Sequence, residues 1–278
     1  MFSIVIPTFN NIDYLKLCIK SLKQNSKYNH QIIPHINMGE DETEEYLKSE
    51  SIEYTFTKYN SGICEGMNRA SKKAKFDYIL YAHDDFYFCP EWDYTLKNEI
   101  DKIGHNNFYL SGIMMNNGPL KFDCGNSLEN FNESKLLDNY QSINHYDFQG
   151  STWAPHLIHK TLWNKIGGFS EEFNPGDGSD PDFCMKLWNK NVRVFKTISK
   201  FKVYHFSSVT TRKGMIKLNN GTKIFTLKYG FNPRYFRKYY LKGDGYNAYN
   251  GPLNNPKMNF EMFIDYLINK LKFIYYKI

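Results

Sequence analysis

Cysteine is sparse and unpaired in this 278-residue chain: Cys18, Cys64, Cys89, Cys124 and Cys184 are odd in number, and no two form a CxxC pair. That pattern excludes a zinc knuckle and a disulfide framework and predicts reduced thiols in a cytoplasmic protein. Long hydrophobic runs are missing too. Nothing approaches the roughly 20 apolar residues that cross a bilayer, so the expectation is a soluble chain. The first residues enter an apolar strand without the basic segment and extended apolar core of a secretory leader. Excess charge of one sign is mild, at +6, too little to imply a nucleic-acid partner by itself. No internal repeat is visible. Aromatics are not lacking, at 17%, but Asn, Lys and Ile are abundant beside them, which reads as coding bias more than as a dedicated aromatic surface.

What is present is alternation. Phe2 to Thr8 is a short apolar run, and Asn10 or Asn11 can cap a helix with Ile12, Leu15, Ile19 and Leu22 on one face. A second strand, Gln31 to Asn37, is weakened by Pro34. An acidic helix over Asp41 to Ser49, a strand over Ile52 to Thr57 and a helix from the Asn60-Ser61-Gly62 loop through Ala74 follow. Strands alternating with helices predict a parallel βαβ sheet in the first hundred residues. Further strands are expected over Phe108 to Met115, Val192 to Thr197 and Lys202 to His205, with an Asn-rich stretch between Asn116 and Asn144.

Two acids stand where chemistry is expected. The run Tyr78-Ile79-Leu80-Tyr81-Ala82 ends in His83-Asp84-Asp85-Phe86, and open α/β sheets bind ligands just beyond the carboxyl ends of their strands. Adjacent carboxylates there, with no basic neighbour, are costly unless a cation or a donor-rich ligand sits against them. A hard divalent metal holding a phosphate group fits. The bland reading is that the pair ends a strand and caps the helix after Pro90.

With these pieces in order, the chain resembles family 2 glycosyltransferases over Ser3 to Ser208. The carriers are SIVIPTFN at 3–10, NSGICEGMNRA at 60–70, YILYAHDDFYFCP at 78–90, GGFSEEF at 167–173 followed by SDPD at 179–182, and VYHFSS at 203–208. The resemblance implies the GT-A fold, a Rossmann-like, mostly parallel mixed sheet flanked by helices. To this the sequence adds a C-terminal helical extension. It implies a donor-binding half over 1–115, an acceptor-binding and catalytic half over 116–226, and a basic-aromatic extension over 227–278. It implies a nucleotide-sugar donor, a UDP-sugar favoured, and an inverting transfer to a hydroxyl of a glycan or glycoconjugate. Asp85 and His205 are the expected metal ligands, for Mn²⁺ or Mg²⁺. The imidazole tilts the choice to Mn²⁺. Asp180 is the expected general base, its carboxyl pushed up by Asp177 and Asp182, with Asp177 in reserve. Pro7, Thr8, Asn37, Asn60, Gly62, Asn68, Asp84 and Arg212 are expected on the donor, Asp84 at the ribose and Arg212, with Lys213, as a basic loop over the diphosphate. Trp153 and Asp182 are expected at the acceptor.

Each residue has a plainer reading. Trp153 is equally a core residue, Asp182 a helix-terminal acid, His205 a core histidine, and His156 and His159 surface or core. The chain also departs from the family: His83 replaces the first acid of the DxD motif, Ser179 replaces a glutamate, and Asn37-Met38-Gly39-Glu40-Asp41 replaces an acidic base-binding stretch. Those losses keep a non-catalytic nucleotide-sugar-binding module open. The tail Lys228 to Lys242 interleaves bases with aromatics. It is expected to pack on the domain, with contact to a membrane surface, a lipid-linked acceptor or nucleic acid as the other readings. The last motivates transfer to a modified base. Nucleotidyl transfer is the weaker rival, because no glycine-rich, lysine-containing loop follows the first strand.

Overall fold

The structure, a computed structural model, describes residues 1–206 and 219–278. Its strands are β1 (Phe2–Thr8), β2 (Gln31–Asn37), β3 (Thr55–Thr57), β4 (Tyr78–Tyr81), β5 (Phe86–Phe88), β6 (Phe108–Met115), β7 (Phe148–Gln149), β8 (His156–His159) and β9 (Val194–His205). The helices are α1 (Ile12–Gln24), α2 (Thr43–Ser49), α3 (Gly62–Ser71), α4 (Trp92–Ile103), α5 (Glu133–Asn139), α6 (Lys160–Ile166), α7 (Ser179–Asn189), α8 (Gly221–Tyr229) and α9 (Phe260–Lys277). One sheet runs β3-β2-β1-β4-β8-β6-β9-β5, with β7 on β9. Strands β1 to β4 are mutually parallel, whereas β8 pairs antiparallel to β4 and β6. The strand order reverses between β1 and β4, and ligands of open α/β sheets bind at such a switch point.

The apolar runs become the buried centre of the sheet. Phe2, Ile4, Val5 and Ile6 of β1 are wholly buried, as a strand covered on both faces requires. Leu15, Cys18, Ile19 and Leu22 seat α1 against it. Asn11 stands at the N-cap of α1 but makes no side-chain cap bond. Asp41, expected inside the second helix, instead accepts the Ile12 N–H at 3.1 Å, and α2 begins at Thr43. Pro34 lies one residue before β2 starts pairing with the short β3, so that side of β2 is an edge at the proline.

The two late strands expected over 192–197 and 202–205 are one, β9. Its register against β6 jumps from Gly112–Ile198 to Ile113–Lys202. The detour is held at Ser199, whose N–H and hydroxyl both donate to Asp147 Oδ1, and by Phe201, buried against Phe88 and Trp92. The C-terminal segment joins the main core. After α8, a helical turn (Pro233–Tyr235) and a turn of π-helix (Phe236–Leu241) bury Tyr235, Phe236 and Leu241. The basic-aromatic stretch therefore packs on the domain, its buried rings unavailable as stacking platforms.

Candidate active site

The loop after β4 places three side chains around one point. Strand β5 pairs antiparallel with the end of β9, Phe86 opposite His205, which brings Asp85 beside the His205 ring at 3.5 Å. His83, Asp85 and His205 each offer a ligand atom, and these atoms lie within 4.8 Å of one another. Both ring nitrogens of His205 are sealed from solvent, and neither has a hydrogen-bond partner among the described residues. An imidazole left so beside a carboxylate suits a cation, and the donor set suits Mn²⁺ or a similar first-row ion better than Mg²⁺. His83 has a fixed orientation: its ring stacks on Phe86, and Nε2 bonds the Tyr81 hydroxyl at 2.9 Å. Burial, partly opposed by Asp85, lowers its pKa to about 4. No sequence expectation covers His83, and its place in the DxD motif is the available signal.

Asp84 turns the other way, toward the carboxyl end of β1. Burial and then the Asp85 charge raise its pKa to about 7, while Thr8 and Asn11 pull it down. Thr8 Oγ1 and Asn11 Nδ2 are nonetheless sealed without a full hydrogen bond. They are near enough to be felt by the carboxylate and keep capacity for a ligand. Asn11 lies beside Asp84, a placement that its reading as a helix cap does not reveal.

Asp180 sits in the first turn of α7, after Gly178 in the left-handed region at φ 81°. Its Oδ1 is sealed without a partner, and its pKa is raised to about 7. The cause differs from the one expected. Burial raises it, not like charge, because the neighbouring acids are engaged elsewhere. Asp177 Oδ2 accepts the Gly221 N–H at 2.9 Å. Asp182, expected at the acceptor, is wholly buried and faces α8: it accepts from the Tyr229 hydroxyl at 2.7 Å and pairs with Lys228 at 2.8 Å. The structure does not bring Asp182 to the same place as Asp180.

Tyr81 joins the two halves. Its hydroxyl bonds His83, and its own ionisation is suppressed by burial, then by Asp180, with smaller effects from Asp84 and Asp85. Reading Tyr78 to Ala82 as an apolar run concealed that hydroxyl. His156, buried under Tyr81 and Tyr109, is held neutral by burial with a pKa lowered to about 3, and His159 caps α6 by accepting the Thr161 N–H. The HxxH pair is thus core and cap.

On the β2 side the expected residues hold one another. Asn37 Nδ2 donates to Asn60 Oδ1 at 2.8 Å, Asn37 Oδ1 accepts the Ser61 N–H at 2.7 Å, and Asn60 Oδ1 accepts the Gly62 N–H at 3.1 Å. Gly62, at φ 70°, sits so close to Asn174 and Pro175 that a Cβ would collide with both. His35 lies beneath, its ring nitrogens bonded to Thr55 and Ser61 hydroxyls, with burial lowering its pKa to about 4. Asn68 spans from α3 to the Gly167-Gly168-Phe169 turn, donating to Phe169 O at 2.9 Å and accepting the Phe169 N–H at 2.8 Å. Pro7 lies near the carboxyl end of β1, opposite His35. Trp153 is half-buried, packed near Phe148 and Tyr246, with its Nε1 sealed and unpartnered. Arg212 and Lys213 lie outside the described residues.

A mixed, mostly parallel sheet flanked by helices, with histidines and acids gathered at strand ends, is an α/β architecture of the GT-A type. The chain belongs to glycosyl transferase family 2, whose profile matches residues 3–167. It is 26% identical over 199 residues to an uncharacterized glycosyltransferase of Rickettsia prowazekii (strain Madrid E), a match covering 70% of this chain and 59% of that protein. The chain thus spans a little over half the length of that relative. Among solved structures it is similar to S. aureus TarS 1-349 in complex with UDP-GlcNAc, with TM-score 0.55 and 19% identity over 75% of this chain and 61% of the other. It is also similar to GalNAc-T7 with UDP, GalNAc and Mn²⁺, with TM-score 0.57 and 12% identity over 80% of this chain and 44% of the other. Likeness at these identities shows the shared fold.

Proposed function

We propose that the chain transfers a sugar from a nucleotide-sugar donor, a UDP-sugar first among them, to a hydroxyl of a glycan or glycoconjugate, with inversion. One observation supports this reading: the Tyr81 hydroxyl bonds His83 of the His83–Asp85–His205 cluster and feels the charge of Asp180 as well as those of Asp84 and Asp85, which ties a group that can hold a diphosphate to a group that can accept a proton. The UDP-GlcNAc bound by TarS and the UDP and Mn²⁺ bound by GalNAc-T7 support the donor and cation classes.

In this reading residues 1–115 hold the donor, 116–226 the acceptor and catalytic base, and 227–278 buttress them. Asp84, with Thr8 and Asn11, receives the ribose, and Pro7 borders that floor. Asn37, Asn60 and Gly62 shape the loop beside the base, and Asn68 positions the catalytic half against α3. Asp85, His205 and His83 would hold Mn²⁺ or a similar ion, which when bound neutralises charge developing on the diphosphate. Asp180 takes the proton from the acceptor hydroxyl as its oxygen bonds the anomeric carbon. The anomeric C–O bond breaks, and the electron pair leaves with the nucleoside diphosphate. A base with a pKa near 7 is half ionised at neutral pH, which suits that task. Trp153 offers an aromatic face to the acceptor sugar, and the diphosphate is the role proposed for Arg212 from the family resemblance alone.

The test is a thermal-shift screen of nucleotide sugars with and without Mn²⁺, followed by transfer assays on the best donor. A bound donor raises the melting temperature by mass action, more so with Mn²⁺. Absence of any stabilising nucleotide sugar, or undiminished transfer by both Asp85→Asn and Asp180→Asn, rejects the proposal.

A further inference from the structure

The outer face of α9 has no partner among the described residues. Phe260, Phe263, Ile264, Leu267, Leu271 and Ile274 are between 40% and 81% exposed. At 3.6 residues per turn they share an arc of roughly 100°, and no polar residue falls within it. Scattered exposed hydrophobics need no explanation, but a continuous stripe of large ones along an 18-residue helix marks an interaction surface.

The helix is not free to roll this stripe inward, because its opposite face is fastened. Met262 and Asn269 are buried, Asn269 Oδ1 accepts the Asn232 N–H at 2.8 Å, and Asp265 Oδ2 accepts from the Tyr239 hydroxyl and Lys238. Charge is sorted along the same helix. Its two acids, Glu261 and Asp265, are both bound by Lys238, at 2.7 and 2.8 Å. Its lysines are not offset in this way. No carboxylate of the described residues lies within ion-pair distance of Lys270, Lys272 or Lys277. Lys270 and Lys277 border the stripe on one edge, and Lys272 lies beyond the other.

We infer that α9 docks this chain on the surface of an anionic phospholipid bilayer, lying in the interface with its apolar stripe among the acyl chains and its lysines at the phosphates. An apolar face with two lysines along one edge and a third beyond the other, its two acids already paired with Lys238, is what such a surface takes up, the lysine stems lying along the apolar boundary and the ammonium groups reaching the headgroups. A second copy of the chain fits less well: closing stripe on stripe would bring the lysine borders together with both local acids already neutralised. No helix of the described residues is long and apolar enough to cross a bilayer, so the contact is with the surface.

Flotation of the full chain with vesicles tests this directly. The protein should float with phosphatidylcholine vesicles carrying about 30% phosphatidylglycerol at least about tenfold better than with phosphatidylcholine alone, and salt should weaken the binding. Leu267→Glu with Leu271→Glu should abolish flotation and leave the thermal melt unchanged, since both residues are exposed. Lys270→Glu, Lys272→Glu and Lys277→Glu combined should remove the preference for anionic vesicles. Failure of the wild-type chain to float, or equal flotation of the Leu267→Glu/Leu271→Glu variant, overturns the inference. So does a dimer in sedimentation velocity that this variant dissolves while the wild-type chain ignores vesicles. None of these outcomes depends on sugar transfer.

Discussion

At the scale of single residues the site is built on burial without partners. Asp180 keeps a sealed, unbonded oxygen and a pKa raised to about 7 by that burial alone. The base form is the charged one, so transfer under kcat conditions should climb as pH rises through about 7 and level off above it. Asp180→Asn should lower kcat by about 10² to 10⁴ with little change in donor KM, and should erase that rising limb. His83 makes a separate prediction. His83→Asp replaces an imidazole with a hard carboxylate, so in thermal shift the stabilisation by Mn²⁺ should fall and that by Mg²⁺ should grow. Asp85, His205 and Asp180 stand out in the sequence because each falls in a motif near the end of an element. His83 and Tyr81 do not, because what singles them out is a ring stacked on Phe86 and a hydroxyl bonded to that ring. Neither leaves a period or a spacing in the sequence. Asp182 is not separable from Asp180 in the sequence: two acids two positions apart on a helix lie on different faces, and only the contacts to α8 show that Asp182 pairs with Tyr229 and Lys228.

At the scale of elements, polar side chains fasten loops across long sequence distances. Asp93 in the first turn of α4 accepts the N–H groups of Lys27 and Tyr28, both at 2.8 Å, and meets His30 Nε2 at 2.9 Å. Burial pushes its carboxyl up, but the His30 bond and those backbone donors outweigh it, and the pKa ends below the usual carboxylate value. A depressed carboxylate stabilises the fold above its unfolded pKa, and that contribution is lost as pH falls through the lower, folded value. Asp93→Ala should therefore cost about 3 kcal/mol in urea denaturation at neutral pH, with a smaller deficit in strong acid. On α3, a Cβ at Gly66 would stand 2.4 Å from the His35 ring. Gly66→Ala should cost about 1–3 kcal/mol by forcing His35 off its hydroxyl partners, read from the same denaturation curves. The alternation of strands and helices in the first hundred residues was readable from apolar runs. The join of two expected strands into β9 was not, because a detour fixed by Asp147 looks in sequence like a break.

At the scale of the whole molecule, the C-terminal segment is part of the catalytic fold. Buried Asp182 of α7 is bonded by Tyr229 and paired with Lys228 of α8, while Phe225 of α8 packs against both Tyr229 and the buried Phe236. Asp182→Ala should destabilise the chain by about 3 kcal/mol, because it leaves the Tyr229 hydroxyl and part of the Lys228 charge without a partner. The same compactness closes off the thiols. All five cysteines are buried and unpaired, and burial pushes every one of their pKa values up, Cys64 and Cys89 to about 12. A thiol reagent should find nothing fast to react with until the chain unfolds, and then all five at once. The native protein is in effect already a cysteine-free background for labelling. One cysteine introduced by Leu271→Cys would be its only quickly reacting thiol, and a polarity-sensitive dye attached there would report, by its colour, the medium into which α9 settles.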